Sequence, residues 1–365
     1  MKRRSFLGAG LGTGLGAALS MPLLPHTAMA SVSAFAPDHP LQESWRAWKA
    51  LCLAPDGRVV DGFQGDASHS EGQGYGLTLA ALFGDDAAVT QIIRWTETNL
   101  AIREDELLAW RWRPDATPHV TDRNNASDGD LFYAWGLSLA AVLSDSKARL
   151  ARAVAIAGDL ARRCIAPCPD GSGRLILLPG TSGFRRDEGI VVNPSYYMAR
   201  ALRDLAALAS LPDLARLATD GDTLIAALAA RGPVPDWVMV TAQGVAPAPQ
   251  PFSGVSGYEA VRVPLFALWS DQPQSPAVRA YASRMAAAGD VGGVATVFDT
   301  AGPGVFERSA HPGYAALGAL ADCVTSNAVG SVMPGFTDDQ PYYPATLHLM
   351  ALVVQASSFQ RCVPI

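Results

Sequence analysis

Apolar positions recur at helical spacing along most of the chain after residue 40, and few stretches alternate with the two-residue period of a half-buried strand. The pattern predicts helices over 41–54, 76–84, 86–101, 130–145, 147–165, 194–210, 221–232, 258–271, 275–289, 311–328 and 342–357. In the fourth of these, Leu131, Trp135, Leu139 and Val142 share one face, while Tyr133 and Ser138 lie on others. Several segments are apolar nearly all round. They should be buried on more than one side, and their Ala, Leu and Gly content predicts close packing. The connecting loops are rich in Gly, Pro and aromatics, with no linker and no internal repeat. About eleven or twelve helices joined in this way argue for one all-helical domain, long for one ordinary core but of a length that a barrel of paired helices can reach. An open solenoid would need a repeat period and two bundles a linker.

The stretch "SHSEGQGYGLTLAALFGDD" (68–86) interrupts the pattern. Ser70 and Gln73 form an S-x-x-Q capping box ahead of an apolar run, yet Gly72, Gly74 and Gly76 fall in its first turns. Each glycine inside a helix costs roughly 1 kcal/mol relative to alanine. The expectation is that the bare backbone around Glu71 lets a ligand approach closely.

Residues 1–30 read as a twin-arginine export signal: Lys2, Arg3 and Arg4, an apolar glycine-rich run, and Ala28-Met29-Ala30 as the cleavage pattern. The mature chain would then be a single domain, 31–365. Removing those three cations leaves 25 basic against 34 acidic residues, a formal charge of −9. Such a field repels nucleic acid and anionic lipid, and no stable membrane insertion is expected after signal removal. Of the five cysteines, Cys164 and Cys168 either bridge or stand as two small buried residues. No spacing calls for a metal or cofactor, and neither a histidine triad nor G-x-S-x-G is present.

Three carboxylates stand at the mouths of helices: Glu71, Asp128 (with Asp130 two residues on), and Glu259 in an S-x-x-E box begun by Ser256. Complementing the helix dipole would explain each one singly. The loops, however, also carry Trp110, Trp112, Tyr196, Tyr197, Trp237, Tyr258, Tyr342 and Tyr343. Aromatic faces stack on sugar rings. Glycosidic cleavage needs one protonated carboxylic acid and one ionised carboxylate, so the combination points to carbohydrate.

The strings "SEGQGYGLTLAALFGD", "NASDGDLFYAWGL", "NPSYYMARAL", "VPDWV" and "GYEAVRVP", in that order, resemble glycoside hydrolase family 8 over roughly residues 40 to 355. The resemblance implies an (α/α)6 barrel with an open cleft at the helix N-terminal end. It implies inverting endo-hydrolysis of β-1,4-glucan in the setting of bacterial cellulose synthesis, with the synthesis machinery as a partner beside the polysaccharide. It makes Glu71 the general acid, Asp128 the sugar-positioning carboxylate and Glu259 the base. The expected substrate-binding set is Tyr75, Trp112, Asp130, Tyr196, Trp237, Tyr258, Arg262 and Tyr342: the resemblance makes Tyr196 a sugar contact and fits Tyr258 and Arg262 to the motif around the base, while Trp237 is either a subsite wall or a core tryptophan. The family's "Y-D-A-x-R" string is departed from at one place, since Glu259 stands where relatives carry aspartate. Two other readings stand beside this one: the same fold acting on chitosan or xylan, the negative charge favouring cationic chitosan, and, because the base position is Glu259, a non-catalytic glucan-binding protein. A general acid also needs a proton that a helix N-terminus disfavours, so Asp128 and a partly dry cleft are expected to raise the pKa of Glu71.

Overall fold

The structure, a computed structural model, describes residues 35–364. The export signal read over 1–30 lies outside them. One α-helix forms in each expected apolar segment: α1 (Leu41–Cys52), α2 (Ser70–Leu82), α3 (Asp86–Asn99), α4 (Ser127–Ser144), α5 (Lys147–Arg163), α6 (Ala199–Ala209), α7 (Pro212–Ala229), α8 (Arg262–Trp269), α9 (Pro276–Ala288), α10 (Pro312–Ser326) and α11 (Tyr342–Ser358). Some bounds differ from the periodic pattern. Helix α7 starts at Pro212, where proline suits the first turn, and not at Gly221.

Burial sorts the helices into two layers. Helices α2, α4, α8 and α11 are buried on nearly every side. By contrast α5 buries one stripe, Ala153, Ile156, Ala157 and Leu160, as an outer helix should. Helix α2 packs on α4, α4 on α6, α6 on α8 and α8 on α11. The ring closes where Gly72 of α2 faces Tyr342 of α11. This inner ring wrapped by outer helices is an (α/α)6 barrel. Its axis is aromatic: Tyr75 meets Phe132 edge-on at 4.6 Å between ring centroids, Phe132 meets Phe266 at 5.1 Å, and Trp135 meets Trp269 at 5.5 Å.

The glycines of α2 prove to serve this packing, which corrects the expectation of a ligand lying against them. A Cβ on Gly74 would stand 2.8 Å from the backbone nitrogen of Tyr133 in α4, and one on Gly129 of α4 would stand 2.6 Å from the nitrogen of Glu71. A Cβ on Gly76 would reach 2.8 Å from Val59. Two backbones therefore cross in contact, and the helix-propensity cost supports helix–helix approach. The capping box does not form either. Gln73 accepts a hydrogen bond from the Val59 amide at 2.6 Å and donates to Thr96 Oγ1 at 2.8 Å, while Ser70 Oγ has no partner. A buried amide that can tie two neighbouring segments outcompetes a local cap.

Short antiparallel strands connect helix ends. β1 (Ser68–His69) pairs with β2 (Arg111–Trp112), and β3 (Ile165–Pro167) pairs with β4 (Leu175–Leu177). β5 (Arg185–Arg186), β6 (Gly189–Val192), β7 (Val238–Thr241) and β8 (Gly244–Pro247) make a four-stranded sheet. β9 (Val294–Phe298) pairs with β10 (Val305–Ser309). Cys164 and Cys168 remain buried thiols, so the bridge between them does not form. The disulfide is Cys323–Cys362, tying α10 to the turn after α11. Among the described residues no helix is long and apolar enough to cross a membrane, and no acidic, His or Cys group could hold a metal.

Candidate active site

Five successive pieces of the inner ring present their N-terminal ends at one place. Glu71 is the second residue of α2 and Asp128 the second of α4. Asn193 and Ser195 belong to the 3-10 turn before α6. Glu259 sits in the turn that leads into α8, whose first residue is Arg262, and Tyr342 and Tyr343 open α11. The Glu259 turn is shaped by Asp236, whose Oδ1 accepts from the amides of Gly257 and Ala260, both at 2.8 Å. Burial pushes the Asp236 carboxyl up to about 6. Asp236 therefore does the capping that the sequence assigned to Ser256.

At the centre lies Arg262, its side chain only 2 % exposed. Its Nη1 bonds Glu71 Oε2 and its Nη2 bonds Glu259 Oε2, so one guanidinium joins the two carboxylates. Nη1 also donates to Tyr75 Oη at 3.0 Å and lies 3.5 Å from Asp128 Oδ2. Nη2 donates to Ser195 Oγ at 2.7 Å. The Glu71 and Glu259 side chains keep 21 % and 34 % of their surface open, but Asp128 only 2 %.

Three carboxylates around one cation would carry excess negative charge if all were ionised, in surroundings that disfavour it. The pKa of Glu71 is raised, first by burial, against the pull of Arg262, with the charge of Glu259 adding to the rise. Asp128 lowers it through a hydrogen bond, so the expected upward push on Glu71 comes from burial and Glu259 and not from Asp128. Asp128 is itself pushed well above the ordinary carboxylate range, by burial first and the charge of Glu71 next. A proton is thus retained in the cluster at pH values where an exposed carboxylate would have lost it.

Glu71, Glu259 and Arg262 open into a cavity of about 510 Å3 walled by Tyr258, Tyr342, Tyr343 and Phe63. Tyr258 is 42 % exposed and donates to Glu307 Oε2 at 2.8 Å. The Tyr343 hydroxyl donates to the Tyr258 carbonyl, making a contact the sequence reading left out of its site. On the other side, Tyr196 lies 5.8 Å under the Arg262 guanidinium and 6.0 Å from Trp237. Trp237 in turn packs with Phe184 at 6.0 Å and Phe252 at 4.8 Å. The carboxylate pair is therefore flanked by half-exposed aromatics on both sides, the wall chemistry expected of a sugar-binding groove.

Not every expected contact is placed there. Tyr75 is wholly buried and touches the site only through Arg262. Asp130 is also wholly buried, its oxygens accepting from the Leu108 amide at 2.7 Å and Asn125 Nδ2 at 2.8 Å. It holds a loop, and burial pushes its pKa to about 7. Both are corrected from sugar contacts to supports. Trp112 packs on His119 at 4.5 Å and under Arg58 at 4.9 Å, outside the lining of the carboxylate cavity. Asn193, which stands just before the helix expected from 194 and is not among the expected contacts, donates to Glu259 Oε2 at 2.9 Å.

The family model of glycosyl hydrolases family 8 matches residues 19–357. A probable endoglucanase of Novacetimonas hansenii is 31 % identical over 333 residues, covering 90 % of this chain and 95 % of that one. An endoglucanase of Cellulomonas uda is 32 % identical over 232 residues, and the match spans only 64 % of its length. Among solved structures, the endo-β-1,4-glucanase CMCax from Acetobacter xylinum superposes with a TM-score of 0.78 at 28 % identity, covering 87 % of this chain and 98 % of that one. Endoglucanase Cel10 from Klebsiella pneumoniae gives 0.77 at 29 %, over 86 % and 99 %. The chain belongs to glycosyl hydrolase family 8 and is a glycoside hydrolase.

Proposed function

We propose that the protein cleaves β-1,4-glucan at internal bonds with inversion, using Glu71 as general acid and Glu259 as general base. The observation that carries this reading is the convergence of both carboxylates on the Arg262 guanidinium at the floor of an aromatic-walled cavity. Glu71, with its raised pKa, holds the proton that the leaving oxygen takes as the glycosidic bond breaks. Glu259, the more open of the two, takes a proton from the water whose oxygen attacks the anomeric carbon. Asp128 is buried beside both and acts on the sugar at the cleavage point or on the placement of Glu71. The endoglucanase relatives support β-1,4-glucan as substrate. The sequence strings that resemble the family's cellulose-synthesis members, together with the likeness to the endo-β-1,4-glucanase CMCax of Acetobacter xylinum, support a place beside bacterial cellulose production. An exported destination is supported by the twin-arginine pattern and by the Cys323–Cys362 disulfide, which suits an oxidising compartment.

The test is release of reducing ends from carboxymethyl cellulose, chitosan and xylan in parallel, with Glu71→Gln as control. Cleavage of the cellulose derivative in preference, abolished in the variant, is the expected result. Cleavage of chitosan or xylan instead would reassign the substrate. A wild type and a Glu71→Gln variant that both bind cellohexaose and leave it intact would make the protein a glucan binder.

A further inference from the structure

We infer that Asn193 is a positioning residue for the reaction, holding Glu259 by Oε2 so that Oε1 is the oxygen that receives the proton of the attacking water. The inference rests on the assignment of Glu259 as base.

The two oxygens of Glu259 have unequal surroundings. Oε2 accepts from Arg262 Nη2 and from Asn193 Nδ2 at 2.9 Å, and Ser195 Oγ stands 3.5 Å away. Oε1 has no hydrogen-bond partner among the described residues, and the side chain keeps 34 % of its surface open along the cavity. Asn193 is itself fixed. It is 1 % exposed, and its Oδ1 accepts from the Ser195 amide at 2.9 Å and from Ser195 Oγ at 2.7 Å. Those bonds orient the amide with its Nδ2 towards Glu259. Ser195 Oγ in turn accepts from Arg262, so asparagine, serine and arginine form one closed network around a single oxygen.

This arrangement explains how a glutamate can be held for base work on a turn. Its longer side chain has more torsional freedom than aspartate, and a displacement of about 1 Å at a reacting group costs about a hundredfold in rate. Two donors from different elements, the turn before α6 and the first residue of α8, remove that freedom. In the step itself, Oε1 takes one water proton while the water oxygen bonds to the anomeric carbon. The glycosidic oxygen leaves with the proton of Glu71.

Asn193→Asp tests the assignment, because it keeps the oxygen that caps the turn and replaces only the donor to Glu259. The expected result is a kcat lower by about tenfold to a hundredfold with KM within about twofold, because the displaced group acts in the transition state. The acidic limb of the kcat/KM profile should move to higher pH, since a negative neighbour favours protonated Glu259. Glu71, Asp128 and Arg262, which face the same cluster from α2, α4 and α8, and Asp236, which shapes the turn, are unaltered in this comparison. Asn193→Ala should lower kcat in the same sense, and in a Glu259→Ala background it should have no further effect. An unmoved acidic limb with kcat near wild type in Asn193→Asp, or additive losses in the double variant, overturns the inference. Full activity of Glu259→Ala would instead overturn the base assignment beneath it, so the two failures are distinguishable.

Discussion

Arg262 shares its charge among Glu71, Asp128 and Glu259 while almost fully buried, so removing it leaves three acidic groups without their cation. Breaking a buried ion pair from one side costs about 3–5 kcal/mol, and Arg262→Met should lose stability on that scale at neutral pH. The sign of its pH dependence follows from the raised pKa values of Glu71 and Asp128. Above the ordinary carboxylate range the folded state binds more protons than the unfolded one, so stability falls as pH rises through that window. The variant should fall more steeply, and its gap from wild type should narrow towards about pH 4, where unfolded carboxylates also protonate. Denaturant titrations of both proteins at pH 4 and pH 7 measure this, and an equal gap at both values would refute it. The residues bearing acid–base chemistry were legible because carboxylates at helix starts among aromatics are a local pattern. Asn193 and Ser195 were not, since nothing local in N-P-S-Y indicates that these side chains meet a residue more than sixty positions away. Tyr75 and Asp130 misled for the complementary reason, since nearness in sequence is not exposure: Tyr75, one turn below Glu71, is wholly buried and meets Arg262 from beneath, and Asp130 turns away from Asp128 to the Leu108 amide and Asn125.

Helices α2 and α4 place Glu71 and Asp128, and their mutual distance is set by glycine. On Gly129 a Cβ would fall 2.2 Å from Ser70 Oγ and 2.6 Å from the Glu71 amide, and the backbone there cannot yield without moving the acid. Overpacking costs about 1–3 kcal/mol. Alanine propensity returns about 1 kcal/mol, so Gly129→Ala should lower stability while also reducing kcat. Gly158, in the outer helix α5, supplies the contrast. Its Cβ would meet only the end of the flexible Arg162 side chain, at 3.1 Å, and Gly158→Ala should stabilise by about 0.5–1 kcal/mol with unchanged activity. Thermal unfolding of the two variants should shift Tm in opposite directions; a shift in the same direction would mean that close helix contact does not distinguish them. Periodicity found each α-helix of the described residues because burial is what periodicity encodes. It misplaced the start of α2, because the glycines that normally punctuate a helix are here its packing surface, a property of the partner helix.

Across the whole molecule, the ring of helices must be closed between its last member and its first, and α11 does this by packing on α1 and facing α2. Trp48 Nε1 of α1 donates to Thr346 Oγ1 of α11 at 3.0 Å, and Tyr342 and Tyr343 at the start of α11 wall the carboxylate cavity. The Cys323–Cys362 disulfide fastens the far end of α11 to α10. Sequence spacing gave no hint of it, because the bridge joins residues 39 apart through the packing of α10 and α11, whereas the near pair Cys164 and Cys168 is held apart in the fold. A cross-link of that loop length removes unfolded-state entropy worth about 4 kcal/mol on the chain-entropy account. The paired variant Cys323→Ser with Cys362→Ser should therefore unfold at lower denaturant concentration with kcat little changed, because the bridge lies at the opposite end of α11 from Tyr342. Under reducing conditions the wild type should approach the variant, whereas the variant should not respond. A reductant effect of equal size on both would show that the buried thiols Cys52, Cys164 and Cys168, not the bridge, answer to redox state.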